Sequence, residues 1–362
     1  MTSKLSEPPI RVNLSRRNST KNTKYFRGDD MRMAILGAVA VSIGLFGAAV
    51  SANSAAYTFT QIDVPGASTN LAFGINNAGQ IVGSFNRSGF LDTGGSFTQI
   101  DAPGAAETVA TGINNAGQIV GWFENITGTH GFFESGGRFT QIDGPGAVIT
   151  QAFGINDARQ IVGLFGDSTV VHGFLDSGGS FTQIDVPGAV ITQAFGINDA
   201  GQIVGLFYNG SFHGFLDTAG SFTQIDVPGP GATEPFDIND VGQIVGAFLD
   251  GTGTHGFLDT GGIFTAIDVP GAAETQAFGI NDAGQIVGIF GTRTGQHGFV
   301  ATPISEVPEP SSLALLGVGV IGLGLLRRRL WPRHLPGAPF SIKHPGSIGR
   351  AVGQASGWLN DD

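Results

Sequence analysis
The chain has 362 residues and no cysteine, which excludes a disulfide scaffold and a thiolate metal site. Lysine is missing from residues 57–303, where Arg87, Arg138, Arg159 and Arg293 are the only arginines. Of the chain's 29 acidic residues, seven lie outside this stretch (Glu7, Asp29, Asp30, Glu306, Glu309, Asp361, Asp362), so its formal charge is 4 minus 22, or −18. Such a surface repels phosphate backbones, so nucleic acid is not an expected partner. It keeps the region soluble and attracts cations. Within 57–303 no apolar pattern holds helical spacing over three turns. Long apolar runs occur only at Ala34–Val50 and Leu313–Leu326.

What is present instead is a repeat. Gln-Ile-Val-Gly begins at Gln80, Gln118, Gln160, Gln202, Gln243 and Gln285, with spacings of 38, 42, 42, 41 and 42. The cleanest copy, Ala194 to Asp226, carries four short runs rich in Ile, Val, Phe and Thr. Runs of this kind, punctuated by Gly and Asn, predict strands. Asn198-Asp199-Ala200-Gly201 suits a tight hairpin in which Gly takes the left-handed position. Asp217-Thr218-Ala219-Gly220 does the same for the next hairpin. Arg159 replaces that glycine in the third unit, and a side chain there costs roughly 1 kcal/mol, so a locally altered turn is expected. The longer Val-Pro-Gly connection ends each unit, because proline cannot donate to a ladder.

Four strands per unit of this length predict an all-β fold, a six-bladed β-propeller of four-stranded antiparallel blades. Phe59 to Asp63 is a fourth-strand sequence with no meander before it, while the last unit, Phe278 to Val300, lacks its fourth strand. The spare strand is expected to close the ring and remove the exposed sheet edges. A β-solenoid is the alternative, but it would need shorter coils and has no use for the spare strand.

The flanks carry addresses. Residues 1–30 are basic and without apolar period, and they predict a disordered extension ahead of a true start at Met31 or Met33. Residues 31–56 have a charged start, an apolar core and small residues, as in a secretory signal peptide with its signal helix. Residues 57–303 form the propeller. Residues 304–329 hold Val307-Pro308-Glu309-Pro310, an apolar run and Arg327-Arg328-Arg329. That run is short for a transmembrane helix, and the arginines would hold its end in the cytoplasm. Residues 330–362 are a Gly- and Pro-rich tail.

Residues Val307 to Arg329 resemble the PEP-CTERM sorting signal of Gram-negative bacteria. The resemblance implies recognition of Val307, Pro308, Glu309 and Pro310 by an exosortase-type membrane protease, with Arg327, Arg328 and Arg329 as membrane-stop charges. It also implies passage through the inner membrane to the cell surface or exopolysaccharide matrix. The tail beyond Arg329 departs from the pattern of that family. The repeat resembles the HAF family of bacterial extracellular repeats, through Gly-Ile-Asn-Asp-x-Gly-Gln-Ile-Val-Gly and His-Gly-Phe. That family implies no reaction.

Five histidines recur at one repeat position: His130, His172, His213, His255 and His297, with Ser88 in the first unit. Equivalent positions in separate blades lie too far apart to share a metal, so each is expected to hydrogen-bond within its own blade. The Asn-Asp turns are candidates for calcium, but turn chemistry accounts for them without an ion, and no cofactor is expected. The residues that break the repeat are Glu107, Trp122, Glu124, Asp167, Tyr208, Glu234, Asp237 and Glu274. Glu107, Glu234 and Glu274 are expected in the loops between blades. Trp122, Glu124, Asp167 and Tyr208 are expected in or beside the loops between second and third strands. All seven of these loop positions would open on one face, a candidate surface for polysaccharide. The near-identity of the units favours a non-catalytic binding or structural role. An extracellular propeller enzyme acting on polysaccharide is the alternative.

Overall fold
The computed structural model describes residues 57–166, 170–229, 231–293 and 295–304. The N-terminal extension, signal segment, sorting segment (with Val307–Pro310 and Arg327–Arg329), tail and Asp167 lie outside the described residues. Every described element is a strand. The first, β1 (Tyr57–Ile62), precedes six meanders. The first meander is β2 (Asn70–Ile75), β3 (Gln80–Phe85), β4 (Ser88–Thr93) and β5 (Ser96–Ile100). The second is β6 (Glu107–Ile113), β7 (Ile119–Asn125), β8 (Gly128–Ser135) and β9 (Arg138–Ile142). The third is β10 (Ile149–Ile155), β11 (Gln160–Gly166), β12 (Val171–Ser177) and β13 (Ser180–Ile184). The fourth is β14 (Ile191–Ile197), β15 (Gln202–Tyr208), β16 (Phe212–Thr218) and β17 (Ser221–Ile225). The fifth is β18 (Thr233–Ile238), β19 (Gln243–Leu249), β20 (Thr254–Thr260) and β21 (Ile263–Ile267). The sixth has three strands of its own, β22 (Glu274–Ile280), β23 (Ile286–Thr292) and β24 (Gly295–Pro303). Its fourth position is taken by β1, which runs antiparallel to β24 from Tyr57 opposite Pro303 to Ile62 opposite Gly298.

The repeat unit explains its own packing. The Gly of each Gln-Ile-Val-Gly lies opposite the Phe of His-Gly-Phe, as Gly205 opposite Phe215. A Cβ on Gly205 would collide with the Gln193 carbonyl and come within 2.8 Å of the Phe215 ring. Removing that Cβ lets Phe90, Phe132, Phe174, Phe215, Phe257 and Phe299 become the largest fully buried side chains. Burying each contributes roughly 1.5–3 kcal/mol. Each first strand also carries one extra residue in a β-bulge, between Ala194 and Gly196 in the fourth meander. A bulge re-aims a side chain, and here Phe73, Phe153, Phe195, Phe236 and Phe278 join one central cluster with Leu164, Leu206 and Ile289. Separate clusters seal each sheet to the next, for instance Val204 with Ile225, Ile238 and Phe257. The last of them joins Val287 of the sixth meander to Ala72 and Phe90 of the first.

The long connections are pinned by one recurrent bond. The backbone N–H of Val186 donates to Thr192 Oγ1 at 3.1 Å, and Val227 donates to Thr233 Oγ1 at 3.0 Å. Asn70 serves the same purpose for Val64, at 2.8 Å. The hairpins follow the turn chemistry read from the sequence: Gly201 has φ 75° and donates to the Asn198 carbonyl at 3.0 Å. The expected alteration at Arg159 does not occur. Arg159 adopts φ 60°, and its N–H donates to the Asn156 carbonyl at 3.0 Å like its glycine counterparts. Its guanidinium lies 4.1 Å from the centre of the Phe133 ring. A cation over an aromatic face gains about 0.5–1 kcal/mol at an exposed site, comparable to the backbone strain.

Candidate binding surfaces
Antiparallel pairing sets the start of each first strand beside the end of its second. Glu107 is therefore opposite Glu124, Ile191 opposite Tyr208, and Glu274 opposite Gly291. Glu107, Glu124, Tyr208 and Glu274 thus share the end of the fold where the long connections and the second-to-third-strand hairpins lie. The loop placements need correction, because the strands run further than the core repeat suggests. Glu107 and Glu274 open β6 and β22 and Glu234 is the second residue of β18, while Glu124 and Tyr208 stand at the ends of β7 and β15, beside their loops as expected. Arg87 Nε is 3.6 Å from Glu107 Oε2. Tyr208 packs at a tilt against Phe212, with ring centres 5.0 Å apart.

Two of the expected surface residues are interior. Trp122 is 5% exposed and joins the central cluster at the position of Leu164 and Leu206. Glu234 is 7% exposed, at the register position of Gln151, Gln193 and Gln276. Glu234 Oε1 and Trp122 Nε1 are buried without a partner. Burial pushes the Glu234 carboxyl up to about 7.

The five histidines hydrogen-bond within their own sheets. Nδ1 of His130 lies 2.8 Å from Asp143 Oδ1, and that of His172 lies 2.8 Å from Asp185 Oδ1. His213 pairs with Asp226 at 3.0 Å, His255 with Asp268 at 3.1 Å, and His297 with Asp63 at 3.2 Å. The last pair links the C-terminal strand to the residue after β1. Each imidazole packs on a Phe one strand away, with ring centres 5.4–5.5 Å apart. Three also meet a hydroxyl through Nε2, namely Thr127, Ser211 and Thr252, each at 2.8 Å. Hydroxyl, imidazole and carboxylate in series are the parts of a hydrolytic relay. Here they recur in three hairpins. The Thr127 and Thr252 hydroxyls also donate to Asn125 and Asp250, at 2.5 and 2.6 Å, so the series clamps a loop.

The opposite end was legible only in part. The six Asn-rich turns meet around the axis and bond in a circle. Nδ2 of Asn76 donates to the Asn114 carbonyl, Asn114 to Asn156, Asn156 to Asn198, Asn198 to Asn239, Asn239 to Asn281 and Asn281 to Asn76, at 3.0–3.2 Å. The next residues form a second circle, in which each backbone N–H donates to the following side-chain oxygen. It runs through Asn77, Asn115, Asp157, Asp199, Asp240 and Asp282, at 2.7–2.9 Å. Asn77 and Asn115 also donate through Nδ2 to Asp282 and Asp157, at 2.6 and 3.0 Å. Two amides therefore flank a run of four carboxylates and absorb charge at both ends. Within the run, the Asp240 carboxyl is raised by burial and by Asp199, Asp282 and Asp157.

These circles rim an axial cavity of about 650 Å³, open mouth included, lined by the bulged phenylalanines and by Asp237. Asp237 stands where the other units have Gly154, Gly196 or Gly279. Its Oδ1 accepts from Ile238 N at 2.9 Å, and its Oδ2 accepts from Ile280 N at 3.0 Å. It faces the cavity but is surrounded by protein, and burial pushes its carboxyl to about 7 against those two bonds. Among the described residues, no three His, Asp or Glu side chains are arranged to hold a metal ion. No described helix is long and apolar enough to cross a membrane.

Residues 306–329 match the PEP-CTERM protein-sorting motif. No curated protein matches the chain. Among solved structures, it is similar to selenomethionine-substituted virginiamycin B lyase from Staphylococcus aureus, at 12% identity and TM-score 0.41, covering 69% of this chain and 100% of that one. It is also similar to a putative gluconolactonase, at 12% identity and TM-score 0.42, covering 70% of this chain and 94% of that one. A third is YCF48 from Cyanidioschyzon merolae, at 10% identity and TM-score 0.39, covering 67% of this chain and 98% of that one. Likeness this distant assigns neither activity nor ligand.

Proposed function
We propose that the chain is an exported protein, sorted through residues 306–329 by an exosortase-type protease to the cell surface or extracellular matrix. In this reading its HAF-like repeats form a six-bladed propeller closed by β1, a non-catalytic module that binds polysaccharide. The match of residues 306–329 to a sorting motif carries the destination. The binding role is supported by the loop end, where carboxylates of Glu107, Glu124 and Glu274 accompany the Tyr208–Phe212 aromatic pair. Exposed Ile126, Val148 and Val190 lie on that same end. Carboxylates that accept from sugar hydroxyls and aromatic faces that pack on sugar rings, spread over one end of the second, fourth and sixth meanders, suit an extended polyhydroxylated polymer. Full-length protein and its Tyr208→Ala variant on a glycan array test this. The reading expects reproducible binding that the variant weakens, and no glycan binding overturns the polysaccharide role.

A second reading, an extracellular enzyme, draws support from Asp237, which lines the axial cavity and whose carboxyl is held at about 7. A carboxyl poised near neutrality suits general acid catalysis. Release of reducing ends from host exopolysaccharide, lost in Asp237→Asn, would favour it.

A further inference from the structure
Five sheets fill one pocket with an imidazole, and the first does not. Ser88 occupies the histidine position, paired with Phe85 as His130 is paired with Phe123. The hairpin before it is also shorter. Phe85 and Ser88 enclose only Asn86 and Arg87, at φ 48° and 93°, whereas six residues separate Phe123 from His130. This shortening accounts for the single 38-residue spacing. At the place of the missing ring lies a surface depression of about 720 Å³, open solvent included, lined by Arg87, Ser88, Asp101 and the connection to Thr108, with Phe85 beside Ser88 across the hairpin.

The remaining parts of the histidine pocket are still there. Gln99 donates to Asp101 Oδ2 at 2.6 Å, as Gln141 does to Asp143. Gln99 also reaches Ser88 Oγ at 3.2 Å, where Gln141 reaches His130 Nδ1 at 3.0 Å. Asp101 Oδ1 corresponds to the oxygen that receives the imidazole in the second and third sheets. Phe85 corresponds to the ring on which that imidazole packs.

We propose that this depression is a binding site for an imidazole group, supplied either by a small molecule or by a histidine side chain of another protein. The ligand N–H donates to Asp101 and its ring packs on Phe85, reproducing in trans the contacts the other five sheets make in cis. The rim ion pair of Arg87 and Glu107 borders the entrance.

The test is hydrogen–deuterium exchange of the full chain with free imidazole, and then with a histidine-containing peptide. Imidazole should slow exchange across residues 85–108 and leave the other sheets unchanged. Ser88→His fills the depression with the residue the other sheets carry, so it should fold and abolish the effect. Asp101→Asn should weaken binding about tenfold or more, the loss of one charge-assisted hydrogen bond. His213→Ala opens the equivalent depression in the fourth sheet and should create a second responsive segment. Protection by imidazole alone assigns a small-molecule site, and stronger protection by the peptide assigns a protein partner. No protection in the unmodified chain, or equal protection in Ser88→His, overturns the proposal.

Discussion
Glu234→Gln should make the protein more stable, and only above acidic pH. The Glu234 carboxyl is 7% exposed, its Oε1 lacks a partner, and burial lifts it from an ordinary 4.5 to about 7. The folded state therefore holds the proton more tightly than the unfolded chain does. Below the unfolded value both states are protonated and nothing is lost. As pH rises from there through about 7, the unfolded chain ionises first and stability falls, and above that the full cost of the buried charge is present. At about 1.4 kcal/mol per tenfold change in proton affinity, that cost is on the order of 3 kcal/mol. Glutamine keeps the shape, removes the charge, and already stands at the same position as Gln151, Gln193 and Gln276. For a domain of this size the gain corresponds to roughly 6–12 °C in Tm. Thermal or urea unfolding of both forms near pH 4 and near pH 8 reads it directly. Asp237 titrates in both proteins, so the difference isolates Glu234. An equal gain at both pH values, or none near pH 8, refutes the reasoning.

Other substitutions probe the ring. Asn198→Ala removes the bonds to the Asn239 carbonyl and the Gln202 N–H; the Asn239 carbonyl keeps its bond from Gly242 N–H, so the loss should be about 1–3 kcal/mol in urea denaturation. Gly205→Ala should cost more than about 3 kcal/mol or prevent folding, because the added methyl meets the Gln193 carbonyl and the Phe215 ring; solubility and circular dichroism check it. In this cysteine-free chain, Thr58→Cys with Thr302→Cys places two thiols on directly opposed residues of β1 and β24. The pair should form an internal disulfide on mild oxidation, seen as faster migration on non-reducing gels.

Turn residues and strand runs were readable because each works within its own unit: Asn198 and Gly201 close a hairpin whichever sheet lies beside it. What escaped depends on neighbouring units. The amide of Asn198 ends on the Asn239 carbonyl, 41 residues away, and no single repeat reveals that its turns form circles. Trp122 looked like a surface aromatic because it interrupts the repeat, yet it fills the same interior place as Leu164. Glu234 was misplaced for the same reason, since β18 begins before the core repeat does. Asp237 was visible as a departure from Gly154, Gly196 and Gly279, but its closeness to the axis comes from the bulge at Phe236, which leaves no compositional mark. The histidines were placed within their own sheets correctly, because equivalent positions in separate sheets lie too far apart to share a metal.

Where the protein ends up decides the account most directly. Fractionation of the native host, with mass spectrometry of both chain ends, should find the repeat region at the cell surface or in the matrix. Its C-terminus should be newly cut near Pro308–Pro310, and Glu309→Ala should leave it uncut in the membrane. A chain recovered from the cytosol with Met1 and Asp362 both intact would contradict it.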